Sequence, residues 1–266
     1  MARKEAQIMR ILYIGDIMGR PGVDVVAKVL PGLKQELQLD FVIAQGENVT
    51  EGRGMSLEDM QELQGYGVDF FTGGNWSLFR NGVLTDEHPV IRPANYPEVT
   101  PGVGYKRIEH ATGSVLIATL LGKIVGKDAD RPMKNPLQTI DEILETGGKA
   151  DAIIVNFHGD YSSEKRVIGY YLDGRVSAVI GDHWHVPTAD AMVLPKGTAH
   201  ITDVGMCGSL HSSLGIKTDL IISRWKDGKV NKNELETEGP MQFNAVLIKI
   251  EGGLASDISH IQTILE

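Results

Sequence analysis

Two carboxylates, two amides and three imidazoles each follow an apolar run in this chain of 266 residues. Asp16 closes RILYIGD (10–16), and Glu47 and Asn48 close DFVIAQGEN (40–48). Asn75 closes VDFFTGGN (68–75), and His158 closes DAIIVNFH (151–158). VSAVIGDH (176–183) ends on His183, with His185 two residues further on. Imidazole mixed with carboxylate suits a first-row transition metal such as Fe, Mn or Zn. The number of donors suits two ions rather than one. Two such ions, about 3.5–4 Å apart, hydrolyse phosphate esters by sharing a hydroxide nucleophile and neutralising the phosphoryl oxygens. Taken singly, the residues are ordinary. An Asp after a strand is a turn former or helix N-cap, and a lone strand-end His is more often hydrogen-bonded structure than a ligand. Alternate residues of a strand face opposite ways. His183 and His185 therefore share a target only if the backbone has left the strand, which Gly181 would allow. The expectation rests on the joint pattern.

The elements that must position these groups alternate. Between the first two runs, GVDVVAKVLPGLKQELQ has helical spacing with a break or restart at Pro31. SLEDMQELQGYG follows the second, and its Ser56 and Asp59 resemble a capping box. PLQTIDEILETG (136–147) is helical and stops at glycine. The order βαβαβ predicts a largely parallel sheet, whose carboxyl ends are where ligands bind. Residues 90–130 are first rich in Pro and Gly, and SVLIATLLGKIVG then reads as strand. HITDVGM, DLIISRW and QFNAVLIKIEG read as antiparallel strands. With no linker or repeat, residues 1–266 form one expected domain with two sheets.

Composition narrows the class. The chain is 42% hydrophobic with a net charge of -9. That disfavours wrapping duplex nucleic acid, which needs many Lys and Arg at the phosphates, while small anionic substrates stay open if a metal supplies positive charge. The one cysteine, Cys207, allows no internal disulfide and no Cys-type zinc site. The charged N-terminus lacks an apolar leader, and no apolar run is long enough to span a membrane. These features predict a cytoplasmic protein, with no membrane partner and compatible with a homo-oligomer. GDIMGRPG spaces its glycines as GxxxGxxG, so a dinucleotide fingerprint is not supported. Its Arg20 would touch phosphate or cap a helix, and Lys165 reads as part of a solvated face. Cys207 has no partners at spacing that would make it a nucleophile.

GDIMGRPG, GENVTEGRG, TGGN, IRPANYP, NFHGDYSSEK, YLDGRVSAVIGDHWHVPTAD and ITDVGMCG run in order. Together they resemble the YmdB-like family of calcineurin-type metallophosphoesterases, from about residue 9 to residue 250. The resemblance implies an α/β fold, a four-layer α-β-β-α sandwich with mixed sheets. It also implies a dinuclear iron or manganese centre and phosphodiesterase activity on cyclic nucleotides, 2′,3′-cyclic AMP foremost. Asp16, Glu47 and His185 would bind one ion, with Asn48 beside it. Glu47, Asn75, His158 and His183 would bind the other, with Glu47 as the bridge. Three departures stand out. The family's GNH reads GNW here, so Trp76 replaces a histidine that protonates the leaving oxygen or steadies the phosphate. GTHTH is GDHWH, and DFHAEATSEK is NFHGDYSSEK. An indole N–H donates a hydrogen bond but shuttles no proton. The expectation is bound metal with weak turnover, unless Tyr161, His200 or His211 substitutes. The alternative is a pseudo-enzyme that binds metal and nucleotide and regulates a partner. Trp76 and Trp184 would then suit an aromatic wall for a nucleobase.

Overall fold

The structure, a computed structural model, describes residues 8–97, 99–126 and 132–266. Residues 1–7 of the charged N-terminal stretch, and the end of the 90–130 segment, lie outside those ranges. The chain begins with β1 (Met9–Ile14), β2 (Asp16–Ile17), α1 (Gly19–Glu36), β3 (Phe41–Gln45), α2 (Leu57–Tyr66) and β4 (Phe70–Thr72). It continues through β5 (Tyr105–His110), β6 (Gly113–Leu121), α3 (Pro136–Thr146), β7 (Ala152–His158), α4 (Ser162–Tyr171) and β8 (Ala178–Asp182). The last third holds β9 (Met192–Val193), β10 (Ala199–Ile201), β11 (Met206–Ser209), α5 (Thr218–Asp227), β12 (Met241–Glu251) and β13 (Leu254–Leu265).

The strands form two mixed sheets. One has seven strands in the order β2-β11-β12-β1-β3-β4, with β13 paired to β12. The other has six, in the order β5-β6-β7-β8-β10-β9. The side-chain period of two sorts each strand between layers. Ile11, Tyr13, Phe41 and Ile43 face Val115, Ile117, Ile154 and Ile180 between the sheets. Their neighbours Leu12, Ile14, Val42 and Ala44 face outward onto Val23, Val26 and Leu30 of α1 and Met60 and Leu63 of α2. On the far side Leu116, Val155 and Val179 meet Ile140 of α3 and Ile168 of α4. The layers are therefore α-β-β-α, as the resemblance implies. Both faces of the central strands are covered, which is why they read as continuous apolar runs.

The structure departs from the sequence reading in several places, and HITDVGM is one: it is split between β10, parallel to β8, and β11. The donor-bearing strands do not share one parallel sheet. β1, β3 and β4 run parallel in the first sheet, while β7 and β8 run parallel in the second, and the carboxyl ends of both sets meet. Helix α1 passes straight through Pro31, because the residues it buries on the first sheet, Val23, Val26 and Leu30, run up to that turn and outweigh the lost hydrogen bond. DLIISRW forms α5 and not a strand. Its short apolar run fits either period, and Ile221 and Trp225, four residues apart, lie on one helical face. The structure also adds β13, which the sequence reading omitted. Among the described residues, no helix is long and apolar enough to cross a membrane.

Candidate metal centre

Backbone geometry brings the predicted donors together. Gly15 lets β1 run into β2, because a Cβ there would lie 1.9 Å from the Gly205 carbonyl oxygen. Asp16 follows and is fully buried. After β3, Glu47 and Asn48 begin a tight loop in which Asn48 Nδ2 donates to the Gly52 carbonyl at 3.0 Å. After β4 the glycines of TGGN have a steric reason. A Cβ on Gly74 would stand 2.2 Å from Glu47 Oε2 and 2.6 Å from the His158 ring, so only glycine lets the chain pass between them and Asn75. Beyond β8 the chain turns as the HxH spacing requires, with φ of 103° at His183 and 62° at His185. Gly181 is not that turn. It lies inside β8, where its missing side chain admits the Thr202 carbonyl just past the end of β10.

The seven donors fall into two adjoining groups. In one, His158 Nε2 lies 3.1 Å from Glu47 Oε1 and 2.9 Å from Asn75 Oδ1. One ligand atom each from Glu47, His158 and His183 lie within 4.8 Å of one another. In the other, His185 Nε2 lies 3.7 Å from Asp16 Oδ1. Asp16 Oδ1 and Asn48 Oδ1 are both buried without a hydrogen-bond partner. Buried oxygens are normally satisfied, so these two orphans, one of them 3.7 Å from an imidazole, fit a cation. Asp16 Oδ2 accepts the His183 backbone N–H at 3.2 Å, which ties the groups together. The donor set of carboxylate and amide oxygens with imidazole nitrogens fits the transition metals that the resemblance implies.

Electrostatics reflects this crowding. Burial, reinforced by Asp182, pushes the Asp16 carboxyl well above its usual range. Burial would also raise Glu47, but His158, His183 and the Trp76 N–H outweigh it and hold the carboxyl low. Burial works against a charged His158, yet Glu47 and Asp182 prevail and hold that imidazole well above its ordinary value. His183 and His185 go the other way, down to about 4, with burial as the main cause.

A ring of supporting residues escaped the sequence reading. Asp182 accepts from His158 Nδ1 at 2.7 Å, Tyr13 at 2.9 Å, Gln45 at 2.9 Å and Asn156 at 2.6 Å. Lys165 is wholly buried and not on a solvated face. Its Nζ donates to the Asp182 carbonyl at 2.6 Å and to Asp203 at 2.8 Å. Asp160 Oδ1 lies 3.0 Å from His183 Nε2, and its carbonyl accepts from the Trp184 indole at 3.0 Å. The sequence hints were the unusual Asp182 and Asn156 in their motifs. Nothing local marked Asp160, whose partners His183, Trp184 and Gly126 lie 23, 24 and 34 residues away.

Trp76 donates its backbone N–H to Glu47 Oε2 at 2.8 Å. Its ring lines a cavity of about 910 Å³ that Glu47, Asn48, His183 and His185 also line. Trp184 lies elsewhere, with the Lys165 Nζ 4.2 Å from its ring centre, so the two tryptophans form no joint wall. His200 is not at the centre. It is buried on β10, bonded to the Val179 carbonyl at 3.0 Å, and close to Gly169 of α4. Tyr161 is exposed at the N-cap of α4, and His211 is exposed on a loop. Arg20 caps nothing and instead pairs with Glu62 and Asp24 at the surface. Burial pushes the Cys207 thiol up to about 12, so it is no nucleophile.

Residues 12–261 match the family described as YmdB-like protein. The chain is 38% identical to the 2′,3′-cyclic-nucleotide 2′-phosphodiesterase of Bacillus subtilis (strain 168), covering 91% of this chain and 92% of that one. A crystal structure of a hypothetical protein from Thermus thermophilus superposes with a TM-score of 0.89 at 38% identity, over 97% of this chain and 100% of that one. A phosphatase from Mycoplasma pneumoniae superposes with a TM-score of 0.91 at 29% identity, over 97% and 94%. Sequence, layer order and the gathered donors agree that the chain belongs to the YmdB-like family.

Proposed function

We propose that this chain is a dinuclear-metal phosphodiesterase that hydrolyses small phosphodiesters, cyclic nucleotides such as 2′,3′-cyclic AMP foremost. The observation that carries the reading is two adjoining donor groups, one around Glu47 and His158 and one around Asp16 and His185, tied by the His183–Asp16 hydrogen bond, with Glu47, His183 and His185 on the wall of one cavity. The Bacillus subtilis relative's activity supports it. Asp16, Glu47, Asn48 and His185 would hold one ion, and Glu47, Asn75, His158 and His183 the other. Fe or Mn fits foremost, and Zn shares these ligands. When bound, the ions supply charge that neutralises phosphoryl oxygens and activates a water. The reading treats residues 1–266 as one domain, since both sheets contribute donors. It places the protein in the cytoplasm, which suits its single, buried thiol.

The chain's own residues orient and hold protons. Asp182 accepts a hydrogen bond from His158 Nδ1, which leaves Nε2 facing Glu47 and Asn75. The Trp76 N–H fixes the second oxygen of Glu47. Hydrolysis joins a water oxygen to phosphorus and breaks one P–O ester bond, and the departing alkoxide needs a proton. Trp76 cannot give one, and none of His200, Tyr161 and His211 lines the cavity. A p-nitrophenolate leaving group needs no proton. Trp76→His should therefore speed 2′,3′-cyclic AMP turnover about a hundredfold, the lower end of general acid–base assistance, and change bis-p-nitrophenyl phosphate turnover little. Equal effects on both substrates in steady-state assays of the Mn-loaded protein would refute the missing-proton account. Trp76 also favours the second reading, a regulatory metal- and nucleotide-binding protein. Two bound ions with turnover of neither substrate would establish that reading instead.

Metal uptake should release protons. His158, whose charged form Glu47 and Asp182 favour, and Asp16, whose neutral form burial favours, would both give up protons to bind metal. Protons compete with metal for both groups, so Mn²⁺ affinity rises with pH until the raised His158 pKa is passed. His183 and His185, at about 4, are already neutral and add no dependence there. Calorimetric titration of metal-free protein in two buffers of different protonation enthalpy checks this. Identical heats in both would contradict it.

A further inference from the structure

The loop after Glu47 carries a cation with no acidic partner. Among the described residues, no carboxylate pairs with Arg53, although its neighbour Arg80 is bonded to Glu51 at 2.7 Å. The Arg53 guanidinium instead lies 4.7 Å over the Trp76 ring and 5.9 Å from the Phe79 ring. Trp76 meets Phe79 edge-on, with centroids 5.9 Å apart. Arg53, Trp76, Glu47, His183 and His185 all line the same cavity.

The position of Arg53 relative to the centre is fixed from both sides. Its backbone N–H donates to the Thr50 carbonyl at 3.0 Å, and Thr50 in turn donates to the Gly54 carbonyl at 2.9 Å. Gly54 donates to the carbonyl of Glu47 itself. Gly52 and Gly54, at φ of 80° and 71°, supply the left-handed turns that this short loop needs. From the other side, Trp76 is pinned through its N–H to Glu47 Oε2. One residue, Glu47, therefore anchors both, the Arg53 loop through its backbone carbonyl and the Trp76 backbone through its carboxylate. A nucleobase cannot stack on the face of Trp76 that Arg53 already covers.

We infer that Arg53 contacts the phosphoryl oxygens of an anion bound in this cavity, with the Trp76 indole as the platform that holds the guanidinium in place. The inference rests on the phosphodiesterase reading for its substrate. The physical case is a planar, permanently charged fork that matches phosphate oxygens, left unpaired and stacked on a ring at the rim of an acid- and imidazole-lined cavity. Arg53 neutralises charge and supplies no proton. It thus takes over the phosphate-steadying half of the role assigned to the replaced histidine, and leaves the acid half unfilled.

The test uses inorganic phosphate and the full-length, Mn-loaded protein, by calorimetry and as an inhibitor. Arg53→Gln should weaken phosphate binding about tenfold or more, the scale of a lost charged hydrogen bond. Arg53→Lys, which keeps the charge but not the fork, should fall between. Trp76→Leu should weaken binding about threefold, the scale of an exposed cation–π contact, and should add nothing on top of Arg53→Gln. Metal content and melting temperature should match wild type in each variant. Unchanged phosphate affinity in Arg53→Gln overturns the inference, as does wild-type protein that binds no phosphate. Additive losses overturn the platform role of Trp76. Wild-type protein that turns over no phosphodiester refutes the enzymatic reading alone, because the phosphate comparison still decides for or against Arg53.

Discussion

Glu47→Gln should lower turnover of 2′,3′-cyclic AMP by about a thousandfold or more, while the protein stays folded. Glu47 is almost wholly buried, and both of its oxygens are used. Oε1 faces His158 Nε2 at 3.1 Å and Oε2 accepts the Trp76 N–H at 2.8 Å. An amide of the same shape keeps one oxygen and turns the other into a donor. If its NH₂ faces Trp76, two donors meet, and that contact and the position of the 73–76 turn are lost. If it faces His158, a donor stands where a cation should bind. Either way the one group that the proposal assigns to both ions ceases to be an anion. Metal content should fall from two ions to at most one per chain, as read by elemental analysis of protein purified without chelators. Wild-type turnover with two ions still bound would remove Glu47 from the bridging position. Because the change is isosteric, a melting temperature near that of wild type would separate this chemical loss from unfolding.

The seven donors could be found in the sequence because each stands where an apolar run stops, and such runs need only local periodicity to be seen. Which strands pair is not local information. Asp16, Glu47 and Asn75 belong to one sheet and His158, His183 and His185 to the edge of the other, yet along the chain they look like one series. The glycines of TGGN illustrate the same limit. Their spacing signals close backbone approach, but the groups approached, Glu47 and His158, are 27 and 84 residues distant from Gly74. Lys165 was misread because a lysine in SSEK looks solvated until Asp203 and the Asp182 carbonyl close around it. DLIISRW was misread because seven residues cannot distinguish a half-buried helix from a strand. Arg53 gave no signal at all, since its meaning depends on Trp76 lying beneath it and on no acid among the described residues pairing with it.

Asp182→Ala should destabilise the fold by about 3–5 kcal/mol, the scale for stripping one partner from a buried ionic network. No water reaches the site to compensate, since Asp182 and its partners Tyr13, Gln45, Asn156 and His158 are all wholly buried. Tyr13 keeps a contact with Thr72 at 2.7 Å, but the His158 Nδ1 proton and the Asn156 amide lose their shortest acceptor. Urea denaturation should show a lower midpoint at unchanged slope. Asp182→Asn separates the structural part from the chemical part. The asparagine can still accept from Tyr13, Gln45 or Asn156, so its stability loss should be smaller. Its NH₂ must face His158 Nδ1, however, which moves the imidazole proton to Nε2, the nitrogen that faces Glu47 and Asn75. Metal affinity should fall about 10–100-fold, as when the partner that fixes a ligating histidine is lost. The sign of the pH dependence follows from the carboxyl itself. Burial would raise Asp182, but His158 and Lys165 prevail and hold it below its ordinary 3.8. Its contribution is therefore present above that value and is lost as pH falls through the lower folded pKa. The stability gap between wild type and Asp182→Asn should narrow in acid. Wild-type metal affinity in the asparagine variant, or a gap that widens in acid, would show that Asp182 does not set the proton on His158.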